Sequence, residues 1–567
     1  MCQGESPEPV ATTWSLSFAK VEAANPIAAE LLRICAFLAS DAIPEELLVE
    51  ALKTPMPTSE TPKKPQGLGG WFSPSTPEDE DLLRSTHQAV QPWEIDEAAA
   101  ILRAYSLIQR NAHEKTLTVH RLVQAVLCES MSIETRQQWK QRVVFVMNAA
   151  FPQVEFSRWL LCERFLPHAL LCAQWIDREQ IVYPEAVRLL NEIGYYLTER
   201  VRHEEAEPLL KRALNISEQQ LGVRHPWTAN SLNNLAGLYR EQGRYVEVEL
   251  LLKRALNISK QQLGARHPLT ASILNNLAEI YVNQGRYAEA EPLLKRALTI
   301  SQKIYGIEHR EIANVLHNLA ALCDLQGKYA EAEPLYQRSL AISQNIYGDK
   351  DPEVAIILED LAGLYESQKR YREAELLYQQ ALAIQESQLG TEHRLTAISM
   401  TDLGGFYVNQ GKDKEAEPLL TRALAICERQ LGAKHPDTAT ILNNLALLYA
   451  NQGKYAQAEP LYERALAIKE QHLGATHPST AISLGNFAGI YEAQEKYTEA
   501  EPLRQRALAI HEGSLGASHP RTATSLNNLA DLYKRQGKYA QAELLYERAL
   551  GIREQQLGAE HPDTAPS

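Results

Sequence analysis

HPWTANSLNNLAGLYREQGRYVEVELLLKRALNISKQQLG, residues 225–264, decides the fold. Leu232, Leu235, Ala236 and Tyr239 recur at i, i+3, i+4 and i+7, one apolar face of a helix. Pro226 suits the first helical position, and Gln242-Gly243-Arg244 breaks the pattern as a short turn. Val248, Leu252 and Ala255 then mark the packed face of a second helix, with small residues at Ala236 and Ala255 letting the two approach closely. The stretch closes on Gly264, and a Gly recurs every 42 residues from Gly222 through Gly264, Gly306, Gly348, Gly390, Gly432, Gly474 and Gly516 to Gly558. A fixed period of this size predicts stacked helix pairs rather than a globular enzyme core. It makes binding along an extended concave surface the default function.

Eight copies follow one another from His225, and a degenerate earlier one is carried by Ile193, Gly194, Ala206, Leu210 and Ala213. Nine helix pairs are therefore expected over 183–558, while 559–567 begins a further copy. That uncapped end is expected to fray or to self-associate. The register Leu-Ala-x-x-Tyr, Gly-x-Tyr, Ala, Ala reads Leu445, Ala446, Tyr449, Gly453, Tyr455, Ala458 and Ala465 in copy six, and resembles the tetratricopeptide repeat. The longer form, with NNLA, LY, QGKY, EAEPL, RAL and LGxxHP, closely resembles kinesin light chain repeats. The resemblance implies an all-α, right-handed superhelical solenoid whose concave groove takes a protein or peptide ligand.

The chain carries a net charge of −14 over 567 residues, against the basic footprint that non-specific nucleic-acid binding needs. Seven Cys lie far apart with no CxxC pair, which fits reduced, buried thiols. No apolar stretch approaches a membrane span of ~18 residues and no signal peptide is evident, so a cytoplasmic location is expected, with no membrane partner.

Composition shifts before the array: Trp14, Trp71, Trp93, Trp139, Trp159 and Trp175 precede it, against Trp227 alone within it. Ile27–Leu38, Pro44–Leu52, Ile95–Leu107 and His120–Met131 read as helices, with short strands at Ser106–Gln109 and Thr116–Val119. Residues 54–90, rich in Pro, Ser, Thr and charge, read as a disordered insertion. Helices around a small hairpin predict a winged-helix-like module over 10–150, with 151–182 a bridging helical segment capping the first repeat. Trp14-Ser-Leu-Ser-Phe18, Leu31 to Leu38 and Val119-His120-Arg121-Leu122-Val123 resemble the end of the nucleotide-binding region of STAND (NB-ARC) ATPases. The last string is similar to that family's MHD motif, which implies a nucleotide-sensing role for His120, although Arg121 stands where the motif has Asp. No GxxxxGK[ST] occurs to cradle phosphates, so His120 is expected to be structural in this chain.

Enzyme signals are weak. The ladder His225, His267, His309, His393, His435, His477, His519 and His561 supplies one imidazole per layer, and layers ~10 Å apart cannot build a metal site. A capping or packing role is expected instead. Carboxylate pairs such as Glu289-Ala-Glu291 sit at second-helix starts, where the helix dipole favours them. No catalytic residue, metal or cofactor is assigned.

The recurring amides are different, because Asn is a poor mid-helix residue that competes for backbone bonds. They are Asn233, Asn234, Asn275, Asn276, Asn318, Asn443, Asn444, Asn486, Asn527 and Asn528. Their stripe lies off the packed face, and amides there could read the backbone of an extended peptide. An inter-repeat hydrogen-bond ladder is the competing reading. Glu359, Asp360, Glu366, Thr401 and Asp402 make the middle of the stripe acidic, flanked by Arg240 at one end and Lys534 and Arg535 at the other. A ligand with a basic centre is expected. Taken together, these features predict a non-enzymatic scaffold, the sensor or adaptor part of a STAND-type regulator. A kinesin light chain-like cargo adaptor and a regulatory ATPase subunit completed by a partner are the alternatives.

Overall fold

The computed structural model describes residues 8–54 and 92–557. The insertion read at 54–90 lies, beyond Thr54, outside them, as does the partial copy from 559. The chain divides into two compact units, 1–238 and 239–567.

The first unit opens with α1 (Glu8–Ala24), α2 (Pro26–Cys35), β1 (Ile43–Pro44), α3 (Glu45–Lys53), α4 (Pro92–Ala104), β2 (Ile108–Asn111), β3 (Thr116–Val119) and α5 (Arg121–Ser130). The strands form an antiparallel sheet in the order β1-β3-β2. Two expectations shift here. The hairpin's first strand runs from Ile108 rather than Ser106, because Ser106 takes a left-handed φ of 57° and ends the preceding helix. Pro44 belongs to a short third strand beside Thr116, which the helical pattern that follows it concealed. Two long helices complete the module, α6 (Ile133–Ala150) and α7 (Trp159–Arg178). Both pack on the first array helix, Pro184–Glu199, so the bridging segment covers the array's first face. In the degenerate pair (Pro184–Glu199 and His203–Ile216), a Cβ on Gly194 would lie 2.6 Å from Leu210, so the helix crossing itself requires Gly194.

In the second unit each copy is an A helix and a B helix. The A helices run from Pro268–Asn283 to Pro520–Arg535 and the B helices from Tyr245–Gln262 to Tyr539–Leu557. With the degenerate pair and copy one, the described residues hold nine A–B pairs, as the period predicts. The loop string LGxxHPxT, present in copies one, two, six, seven and eight, explains their restarts. In copy two Gly264 takes a φ of +96°, Thr270 Oγ1 donates to its carbonyl at 2.9 Å, and His267 Nδ1 accepts the Leu269 N–H at 3.1 Å. His309, His393, His435, His477 and His519 cap their A helices the same way, and Asp351 does so in copy four. Between helices, Ala446, Ala458 and Ala465 are wholly buried, and Tyr462 stacks on Phe487 at 5.8 Å.

From copy six onward the capping His makes a second contact. His435 Nε2 meets the Glu241 carbonyl at 2.8 Å, His519 Nε2 meets that of Leu325 at 2.7 Å, and His477 Nε2 meets that of Asn283. Each acceptor lies 194 residues earlier, so consecutive superhelical turns touch. Because Nδ1 accepts the cap amide, Nε2 must carry the proton and donate. The next residues, Pro436, Pro478 and Pro520, rest on Gly243, Gly285 and Gly327, where a Cβ would lie 2.8–2.9 Å from the ring. Arg394 reinforces the first rung by bonding both Glu241 and Asp437.

One buried position shows the repeat tolerating a misfit. Ser259, Ser301, Ser343, Gln385, Cys427, Lys469 and His511 are equivalent and all buried. Lys469 Nζ donates to Ser483 Oγ at 3.0 Å, and burial pushes its pKa down to about 8.

Gly285 and Gly453 share a φ of +73°, but only Gly285 faces a Pro ring, since a Cβ on Gly453 would meet nothing within 4 Å. Gly285→Ala should therefore cost about 1–3 kcal/mol more than Gly453→Ala in denaturant titrations, the overpacking added to a shared backbone strain. Equal losses would mean that the turn contact carries no load. Lys469→Met should stabilise the fold by on the order of 2 kcal/mol below pH 8. The gain should shrink as pH rises from about 8 towards 10.5, because the folded lysine loses its proton before the unfolded one does. A pH-independent effect would show that the ammonium is not the strained group.

Candidate functional site: the inner face of the A helices

Successive A helices pack against each other more closely than successive B helices do, which places the A helices on the inner side of the superhelix. Their packed residues, such as Leu442, Leu445 and Ala446, are buried, and the stripe beside them is half-open. Two adjacent positions of that stripe line the inner face in every copy: Asn275/Asn276, His317/Asn318, Glu359/Asp360, Thr401/Asp402, Asn443/Asn444, Gly485/Asn486 and Asn527/Asn528.

The first position of one copy meets the second position of the next. Asn318 Nδ2 donates to Asn275 Oδ1 at 3.0 Å. His317 Nε2 pairs with Asp360 Oδ2 at 2.6 Å. Asn444 Nδ2 reaches the Thr401 carbonyl at 3.5 Å and lies against Gly405, whose missing Cβ leaves it room. Part of the amide stripe is thus spent between repeats. The Asn443 side chain is buried with its Oδ1 unpaired, and Asn276, Asn486 and Asn528 are half-buried on the same face. With its amide oriented to suit its neighbours, Asn527 accepts from the Arg553 guanidinium at 2.6 and 3.1 Å. In the first unit, Asn233 and Asn234 are likewise half-buried on their A helix.

At the centre of the stripe, carboxylates take the amide positions. Glu359 is buried and accepts from Ser399 Oγ, and burial together with Asp402 raises its pKa well above the usual carboxylate range. Burial, then Asp360, Asp437 and Glu366, push Asp402 up to about 7. Burial and Asp360 push Asp324 up to about 6. Burial opposes a charged His317, but Asp360, Glu353 and Glu279 outweigh it and raise its pKa. Tyr378 Oη donates to Glu366 at 3.4 Å, and its own pKa is raised by burial and by Asp402. The Glu353 carboxyl is held above its ordinary range, first by desolvation and then by the neighbouring Asp351.

The expected basic flanks differ from one another. Arg240 is ion-paired with Glu279 and Glu241, both at 2.9 Å, whereas Lys534 and Arg535 are exposed. Sequence reading missed His317, Asp324 and Glu353. His317 stands where other copies have the first Asn, and Asp324 where copy one has Arg240, so column-by-column comparison of the copies could have found both. The Glu residues at B-helix starts pair between copies, as Glu249 with Arg286 and Glu333 with Arg370, both at 2.9 Å. A cleft of about 1110 Å³ lies beside the turn contact, lined by Tyr287, Glu289, Arg506 and Ile510 among others, away from the stripe. His120 in the first unit caps α5, its Nδ1 accepting the Leu122 N–H at 3.2 Å, with the Trp14 ring 6.2 Å away.

The chain is 32% identical over 228 residues to a nucleotide-binding leucine-rich repeat (NLR)-like protein of Hyaloscypha variabilis, a match covering 39% of this chain and 19% of that protein. The chain therefore spans about a fifth of that relative's length. It is 30% identical to a putative kinesin light chain of Podosopora anserina with nearly identical TPR-like repeats, over 36% of this chain and 98% of that one, with a TM-score of 0.30. It is 15% identical to a STAND protein with a tetratricopeptide repeat sensor from Pyrococcus horikoshii, over 98% of this chain and 66% of that one, with a TM-score of 0.43. Residues 75–136 match a domain of unknown function (DUF7779). The tetratricopeptide repeat model matches residues 185–261, 269–345, 325–387, 354–429, 395–471 and 479–555. More than half of the chain lies within those matches, and the chain belongs to the tetratricopeptide repeat family.

Proposed function

We propose that this protein is the sensor or adaptor part of a STAND-type regulator, a non-enzymatic scaffold whose A-helix face takes an extended peptide with a basic centre. The observation that carries the ligand class is the placing of Glu359, Asp360 and Asp402 at the centre of a face that carries at least one amide in each of the copies on either side. A protonated or self-repelling carboxylate cluster is poorly satisfied when empty. A guanidinium or ammonium entering it neutralises the repulsion and supplies donors. Asn443 and its neighbours can then serve the peptide backbone, which rises ~3.3 Å per residue. The NLR-like and STAND similarities support a place beside a nucleotide-dependent switch. Tetratricopeptide scaffolds are generally non-catalytic, in keeping with this reading.

Calorimetric titration of the full chain with an arginine-centred peptide, beside its glutamate-centred counterpart, tests the reading. The arginine peptide should bind and the glutamate peptide should not. Affinity should fall as pH drops from about 7 through 6, because Asp402 and Asp324 gain protons there and lose their attraction for a cation. Asp402→Asn restores the amide found at Asn318 and Asn444, so it should raise Tm above pH 7 while weakening the arginine peptide about tenfold, the loss of one charge-assisted contact. Equal affinity for both peptides, or an unchanged affinity in Asp402→Asn, would remove the acidic centre from the site.

A further inference from the structure

The two ends of each A helix form the two edges of the repeat ribbon. The His-Pro restart is one edge, and the Gly turn is the other. The contacts of His435, His477 and His519 with the carbonyls of Glu241, Asn283 and Leu325 join these edges across one full turn of the second unit, in three consecutive copies. Pro436, Pro478 and Pro520 fill the seam against Gly243, Gly285 and Gly327, leaving no room for a methyl group. His317, Glu359, Asp360 and Asp402 lie on the copies between the joined edges, so the acidic centre sits inside a closed ring. The environment of Glu353 agrees: this exposed carboxylate of copy four lies within electrostatic reach of Arg240 of copy one as well as of its neighbour Asp351.

We propose that the ligand enters this ring end-on, as a flexible basic chain terminus, and that lateral entry of an internal segment requires the His-Pro/Gly seam to part. The inference rests on the reading of the A-helix face as a basic-peptide site. It narrows the partner class: an unstructured tail with a free end qualifies, and a loop held between two folded domains does not. Both protons that matter at the seam are placed by geometry, since each imidazole accepts its own cap amide and donates across the turn. A ligand that opens one rung breaks an imidazole–carbonyl hydrogen bond and unseats a Pro ring from its Gly, and the three consecutive rungs together hold the seam shut at rest.

The experiment uses the full chain and three probes: an arginine-run peptide with both ends free, the same peptide fused at one end to a small folded domain, and the same peptide fused at both ends. Stopped-flow association should be similar for the first two and at least about tenfold slower for the third. The double variant Pro436→Ala/Pro478→Ala, which removes two rings from the seam while keeping helix-compatible residues, should restore fast association of the doubly fused probe. Gly285→Ala, which pushes the same seam apart from its other side, should do so too. Equal association of all three probes with the unaltered chain overturns end-on entry and leaves the basic-peptide reading standing. Failure of all three to bind overturns the basic-peptide reading, and end-on entry with it. A doubly fused probe that stays slow with both variants overturns the seam as the gate.

Discussion

An imidazole that accepts the first amide of its own helix and donates to a carbonyl 194 residues earlier is the contact on which the second unit depends. It converts a local restart signal into a long-range one. In copies two, three and five the His that opens the A helix is a helix cap. From copy six the same side chain, with no change in its local geometry, becomes the junction between turns. A solenoid whose repeats touch only their neighbours would be free to stretch, each interface adding a small compliance. Contacts between turns remove that freedom and fix the diameter of the inner face.

That constraint explains why the inner stripe can hold groups that are costly elsewhere. Asn275 and Asn318 satisfy one another between repeats, an arrangement a neutral amide makes cheaply. Glu359 and Asp402 occupy the equivalent rung and repel instead, with burial raising both pKa values. A polar group left poorly satisfied in a confined, low-dielectric space destabilises the fold, and such groups persist where the surrounding structure over-determines their position. The closed ring over-determines theirs. The same argument makes His317 and Asp360 a matched pair rather than a second defect, since the carboxylate holds the charged ring against the cost of burial.

Much of this was legible in the sequence. The 42-residue period predicted the helix pairs, the alanines predicted their close approach, the recurring Gly predicted each stop, and His-Pro predicted the restarts of the copies that carry it. The capping role of the His ladder was readable because it is local. Its junction role was not, because the pitch of the superhelix depends on small rotations accumulated over several repeats, which no single copy records. Lys469 shows the same limit: its equivalents are Ser, Gln, Cys and His, so the column says that the site is permissive, not that it is buried. In the first unit, β1 was missed because two residues of strand carry no periodicity, and Pro44 reads as well before a helix as within an edge strand.

The most direct test is hydrogen–deuterium exchange of the full chain with and without an arginine-run peptide. The account predicts new protection on the A helices that carry the acidic centre, Arg310–Leu325, Pro352–Ser367 and Arg394–Asn409, with the B helices Tyr329–Tyr347 and Tyr371–Leu389 unchanged. Protection confined to the B helices or to the module before the array, or none anywhere at a saturating peptide concentration, would contradict it.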